Sequence, residues 1–67
     1  MNIATQIAVD FEWIVDEFDS AVEANEHFLD IVQGQSKSYV SNGVMDTYKF
    51  RDNSSIIFTG NNYRVGL

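Results

Sequence analysis

Apolar residues recur through the first half of the chain at alternating steps of three and four. Ala4, Ile7, Phe11, Ile14, Phe18, Ala21, Phe28 and Val32 keep this spacing, with Asn25 alone taking an apolar place. Such a seam marks an amphipathic helix. Ala8, Val15, Val22 and Leu29 flank it at steps of seven and widen it to the stripe of a helix packed on a globular core. Gly34 stands where a C-terminal cap belongs, and no proline interrupts the pattern, so a helix is predicted over about residues 3–33.

Beyond the polar connector Gln33–Ser38 the period changes to two. A short strand is predicted from Ser38, followed by strands over Val44–Arg51, Ser55–Thr59 and Tyr63–Leu67. Asn42-Gly43 reads as a two-residue hairpin turn because both residue types tolerate positive φ, and turns at Asp52-Asn53 and Gly60-Asn61-Asn62 complete a meander over about residues 37–67. The fold expected is therefore α+β: one long N-terminal amphipathic helix, continuous or bent near Ser20, packed on a three- to four-stranded antiparallel β-meander. It forms a single domain over residues 1–67. The core is expected to draw on Ile7, Phe11, Ile14, Phe18, Val22, Phe28 and Leu29 from the helix. The strands contribute Val44, Tyr48, Phe50, Ile56, Phe58, Tyr63 and Val65.

This fold contains a mismatch of lengths. The uninterrupted helix would run about 43 Å at roughly 1.5 Å per residue, whereas a strand of five or six residues spans about 17 to 20 Å. One solution is a break, for which Ser20 followed by Glu23 supplies a capping-box pattern. The other is a homodimer, in which the uncovered seam at Phe18, Asn25, Phe28 and Val32 meets a second copy and Asn25 fixes the register. The seam keeps its phase across Ser20, which favours one long helix.

Charge adds a second stripe. Glu12, Asp16, Asp19, Glu23, Glu26 and Asp30 recur at helical steps of three and four, so a continuous helix aligns six carboxylates in one row. Of the ten acids only Asp46 and Asp52 lie beyond Ser36, whereas all four bases, Lys37, Lys49, Arg51 and Arg64, do. The net charge of −6 is thus strongly polarised along the chain. Each like-charge neighbour at i+3 or i+4 costs about 0.2 to 0.5 kcal/mol, so five successive pairs cost roughly 1 to 2.5 kcal/mol at low salt. That is a large share of the ~3 to 5 kcal/mol that so small a core usually supplies. A face that served solubility alone would usually mix lysine with the acids.

On a straight helix the row spans about 27 Å with one charge per roughly 4.5 Å, against one phosphate per about 3.4 Å along a DNA strand. The partner expected is a basic protein, nucleic-acid-binding in kind, steered to this face by charge. Val9 and Trp13, one turn apart, fall with Ile31 on the side of the wheel away from the seam and form a second candidate contact site.

The remaining chemistry is sparse. No cysteine is present, which removes disulfides and thiolate metal sites and fits a reducing compartment. His27 lies among Glu23 and Asp30 but lacks the paired Glu-x-x-His pattern of a di-iron bundle, and Asp16, Glu17 and Asp19 lack the loop glycine and spacing of a calcium site. No metal and no cofactor are expected. A solvated acid row also gives its carboxylates similar environments, there is no glycine-rich phosphate loop, and the single histidine has no serine at motif spacing, so an enzyme is not expected. Direct nucleic-acid binding through four bases beside ten acids is disfavoured. The N-terminus lacks a basic region and Asp10 and Glu12 interrupt its apolar run, so neither a signal peptide nor a membrane span is expected, and residence is taken as cytoplasmic or, for a phage product, host-cytoplasmic.

Two function classes follow. The leading one is a small non-enzymatic interaction protein that binds a cationic surface of its partner, a nucleic-acid-mimicking inhibitor being one form. Size and charge alone, with no motif, would suit a phage or mobile-element protein of the anti-restriction or anti-CRISPR type. The other is a homo-oligomeric structural or regulatory module joined through the helical seam, its acids serving solubility.

Overall fold

In the computed structural model, which describes residues 1–66, two helices cover one face of a four-stranded antiparallel sheet, an α+β arrangement. Helix α1 spans Ile3–Ile14, a single 3-10 turn follows at Val15–Glu17, and helix α2 spans Ala21–Gln35. Strands β1 (Ser38–Ser41), β2 (Met45–Lys49), β3 (Ser55–Thr59) and β4 (Asn62–Gly66) lie in the order β1-β2-β3-β4. Leu67, expected at the end of the last strand, lies outside the described residues.

The expected continuous helix is replaced by two. Phe18 (ψ 145°) and Ser20 (φ −147°, ψ 160°) are extended, and the Ser20 Oγ accepts the Glu23 N–H at 3.1 Å. This is the N-terminal half of the capping pattern read from Ser20 and Glu23. The whole Cα trace extends only 31 Å along its longest axis, too short for the roughly 43 Å rod. Breaking the rod lets α2 return against α1, and the Phe11 and Phe28 rings stack with centroids 4.4 Å apart.

The break also re-phases the second helix. In α2 the buried line is Ala24, Phe28 and Val32, at steps of four. Val22, expected in the core, is 66% exposed, and Ile31, expected on the outer side with Trp13, is half-buried against the core. A wheel drawn through Ser20 as one helix assigns both residues the wrong side because the two helices are rotated independently. Gly34 does not cap: α2 continues through it to Gln35, and Ser36 ends the helix, its N–H donating to the Val32 carbonyl at 3.0 Å and its Oγ–H to the Gln33 carbonyl at 3.2 Å.

The sheet register sets Tyr39, Tyr48, Ile56 and Val65 opposite one another, and likewise Asp46, Phe58 and Tyr63, on the face beneath the helices. Val40, Thr47, Ile57 and Arg64 form the corresponding row on the far face. Two strand residues expected in the core are open. The first hairpin turn is centred on Gly43 (φ +90°) and Val44, one residue later than expected, with the Asn42 N–H donating to the Met45 carbonyl at 3.2 Å. Asn42 acts through its side chain instead, its Oδ1 accepting the Val44 and Met45 N–H groups at 2.9 and 2.8 Å. Val44 is left at the turn tip, 71% exposed, and Val65 is 39% exposed on the edge strand β4, where the helices cover it only in part.

The N-terminus of α1 is tied to the turn between β2 and β3. The Ile3 N–H donates to Asp52 Oδ2 at 2.7 Å, the Ala4 N–H to Ser54 Oγ at 3.1 Å and the Thr5 N–H to Asn2 Oδ1 at 2.8 Å. Three N–H groups that a helix start leaves without intrahelical partners are thereby satisfied. The Asp52 Oδ1 in turn accepts the Ser54 N–H at 3.0 Å and the Ser54 hydroxyl. These bonds hold the Asp52 carboxyl below its ordinary value, with the Ser54 hydroxyl the largest cause and the Ile3 N–H next.

Candidate functional site: an acidic helical layer over an aromatic cleft

All six carboxylates of the row, Glu12, Asp16, Asp19, Glu23, Glu26 and Asp30, are exposed. The chain break distributes them over three settings. Glu12 lies in α1, Asp16 in the 3-10 turn, Asp19 in the extended link, and Glu23, Glu26 and Asp30 in α2. Only the last three remain a straight helical row, about 10 Å long from seven steps of roughly 1.5 Å each. Asp16 and Asp19 lie at the junction between the helices and Glu12 beside Tyr63 of β4, so the six no longer share one straight helical track.

The bases lie elsewhere. Register puts Lys49 and Arg64 on the far face of the sheet, while Arg51 is exposed in the β2–β3 turn. Lys37 bridges to that same turn, its Nζ donating to Asn53 Oδ1 at 3.2 Å. Charge polarity along the chain thus becomes polarity between faces, because the acidic half folds as the helical layer and the basic half as the sheet.

Trp13 is 82% exposed and Val9 half-buried on α1, so the ring stands clear of the core as the helical wheel requires. The residues proposed as a pairing seam stand differently. Phe28 and Val32 are 2% and 0% exposed inside the chain's own core, Phe18 packs against that core, and Asn25 is exposed. Pairing through Phe28 and Val32 would have to open the molecule.

Between α2 and the inner face of β2, β3 and β4 lies a cleft of about 280 Å³. Its lining includes the buried Phe11, Phe28 and Tyr48 and the half-buried Phe58 and Tyr63. Glu26 and Asp46 line it together with Asn25 and Asn61. The rings brace one another: Phe28 meets Tyr63 at 4.7 Å and Phe58 edge-on at 5.6 Å, and Tyr48 meets Phe58 edge-on at 5.8 Å. The Asp46 Oδ1 accepts the Tyr39 hydroxyl at 3.2 Å, and the Tyr48 hydroxyl accepts from Gln33 Nε2 at 3.2 Å. Burial, and then the neighbouring Glu12 carboxylate, raise the Tyr63 phenol above its ordinary value.

The cleft was not foreseen. Its aromatic residues read from sequence as core alone, and what could have signalled it is Asp46 sharing the inward parity of Tyr48 on a strand facing the helices. Among the described residues, no three His, Asp or Glu side chains are grouped so as to hold a metal ion. His27 is exposed on α2 with its ring 4.9 Å from that of Phe18. Among the described residues, no helix is long and apolar enough to cross a membrane. Compared with family models, curated proteins and solved structures, the chain matches none of them.

Proposed function

We propose that this protein acts by binding a cationic surface of a partner protein, without catalysis, through the acidic helical layer. The observation that supports this reading is the exposure of all six row carboxylates on one layer while Lys49 and Arg64 occupy the opposite face. A helical layer so charged steers basic surfaces toward itself and repels acidic ones. Trp13, 82% exposed on that layer, supplies an amphipathic ring of the kind that anchors interfaces.

Nucleic-acid mimicry is the narrower form of this reading, with an inhibitor of a nucleic-acid enzyme as the corresponding role. The bend at Ser20 leaves only Glu23, Glu26 and Asp30 at the spacing of one helical row, which weakens the fit to a long straight groove.

The test is affinity capture from the native host with the wild type beside a variant carrying glutamine at Glu12, Asp16, Asp19, Glu23, Glu26 and Asp30. The wild type retrieves basic proteins in a salt-sensitive manner and the variant does not. Equal recovery by both would remove the acid row from recognition. Competition of the captured complex by duplex DNA then decides for or against mimicry.

A further inference from the structure

Resting on the reading that the partner surface is cationic, we propose that the aromatic cleft receives a single arginine side chain of the partner and so anchors the complex. The cleft shares Glu26 with the acid row but differs from it in kind. The row supplies diffuse attraction, whereas the cleft offers a bounded site whose aromatic and acidic lining suits one guanidinium.

Three properties of the cleft select this occupant. Its volume of about 280 Å³ falls at or below the ~300 to 1,000 Å³ of clefts that hold small molecules and cofactors, which suits an inserted side chain. The aromatic residues Phe58, Tyr63 and Tyr48 are among its lining, and a planar guanidinium stacks on aromatic rings while its alkyl stem covers apolar surface. Its lining residues also include the acids Glu26 and Asp46 and the amides Asn25 and Asn61, residue types whose oxygens accept from the five N–H donors of a guanidinium. Among the described residues, no lysine or arginine lines the cleft.

A neutral apolar side chain would leave these acceptors unmatched, and an anion would meet two carboxylates. Lysine would bring a compact ammonium that is more strongly hydrated and cannot lie flat on a ring. The combination of aromatic and acidic lining residues therefore favours arginine.

The experiment is a nuclear magnetic resonance titration of the intact chain with N-acetyl-arginine-N-methylamide, beside the equivalent blocked leucine, following aromatic and backbone signals. The expected result is saturable shifts at the Phe58 and Tyr63 rings and the Asn61 amide with the arginine compound alone. Affinity should weaken at least about fivefold in the Glu26→Gln, Asp46→Asn double variant, whose unchanged spectral dispersion shows that it folds. Equal shifts with blocked leucine would make the cleft a plain apolar slot and overturn the proposal. So would the absence of shifts, or shifts confined to Asp16, Asp19, Glu23 and Asp30. A parallel titration with nona-arginine separates the two readings: binding along the row with silent cleft rings sinks the arginine anchor and leaves the acidic layer's role standing, whereas no binding at low salt removes that role itself.

Discussion

At Ser54 one buried hydroxyl holds two parts of the chain together, accepting the Ala4 N–H at 3.1 Å while donating to Asp52. Removing it leaves a helix-start N–H buried against a methyl group, and an unsatisfied buried donor costs roughly 1 to 3 kcal/mol. Ser54→Ala should therefore lower the urea midpoint by a corresponding amount with an unchanged m-value, and α1 amides should lose hydrogen-exchange protection first. Asp52 adds a pH dependence to the same junction. Its folded-state pKa lies below the ordinary 3.8, so its contribution is complete above that value and is lost as pH falls through the folded value. Asp52→Asn should reduce thermal stability at neutral pH and make the decline toward acid shallower than in the wild type. Tyr63 acts at the other end of the scale. With its phenol raised above 10.0 by burial and Glu12, it stabilises the fold below that pH and ceases to do so as pH rises through the folded value. Absorbance titration at alkaline pH should show a late-ionising tyrosine that disappears in Tyr63→Phe.

Among the elements, the link from Val15 to Ser20 decides how the rest is displayed. Ser20→Ala removes the acceptor of the Glu23 N–H and should cost about 1 kcal/mol, read as a lower unfolding midpoint, as other lost N-caps do. The strands and their antiparallel order were legible because period-two alternation and the turn residues Asn42-Gly43, Asp52-Asn53 and Gly60-Asn61 are local signals. The helix break was legible only as an alternative. Ser20 and Glu23 carried its chemistry, but the apolar seam runs through them in phase, and only the 31 Å extent of the packed molecule decides between rod and hairpin. The one-residue shift of the first turn had no sequence cue, since Asn42 serves equally well in positive φ or as a side-chain acceptor. The tie from Asp52 and Ser54 to α1 was hidden for another reason: the partners lie about fifty residues apart, and a contact of that kind exists only once the sheet has formed. The aromatic cleft shares this origin, since helix and strand residues meet there only in the folded chain.

For the molecule as a whole, the bend changes the energetics of its charge. On a straight helix five like-charge pairs would repel, but with Asp16 and Asp19 carried on the 3-10 turn and the extended link, only Glu23–Glu26 and Glu26–Asp30 remain neighbours on one continuous helix. Their combined cost is about 0.4 to 1 kcal/mol at low salt, less than half that of the unbroken row. Glu23 is partly compensated, since it sits in the first turn of α2 where the helix dipole favours an anion. Glu26 belongs to both repelling pairs and also lines the cleft. Glu26→Gln should accordingly stabilise the isolated protein by up to about 1 kcal/mol at low salt, and the gain should fade as added salt screens the pairs. The same substitution should weaken binding to a basic partner. Measuring both on one variant, thermal midpoint across ionic strength and affinity for nona-arginine at low salt, tests whether the acidic layer is retained for recognition at a cost in stability. A variant that is more stable and binds as tightly as the wild type would show that Glu26 contributes repulsion alone.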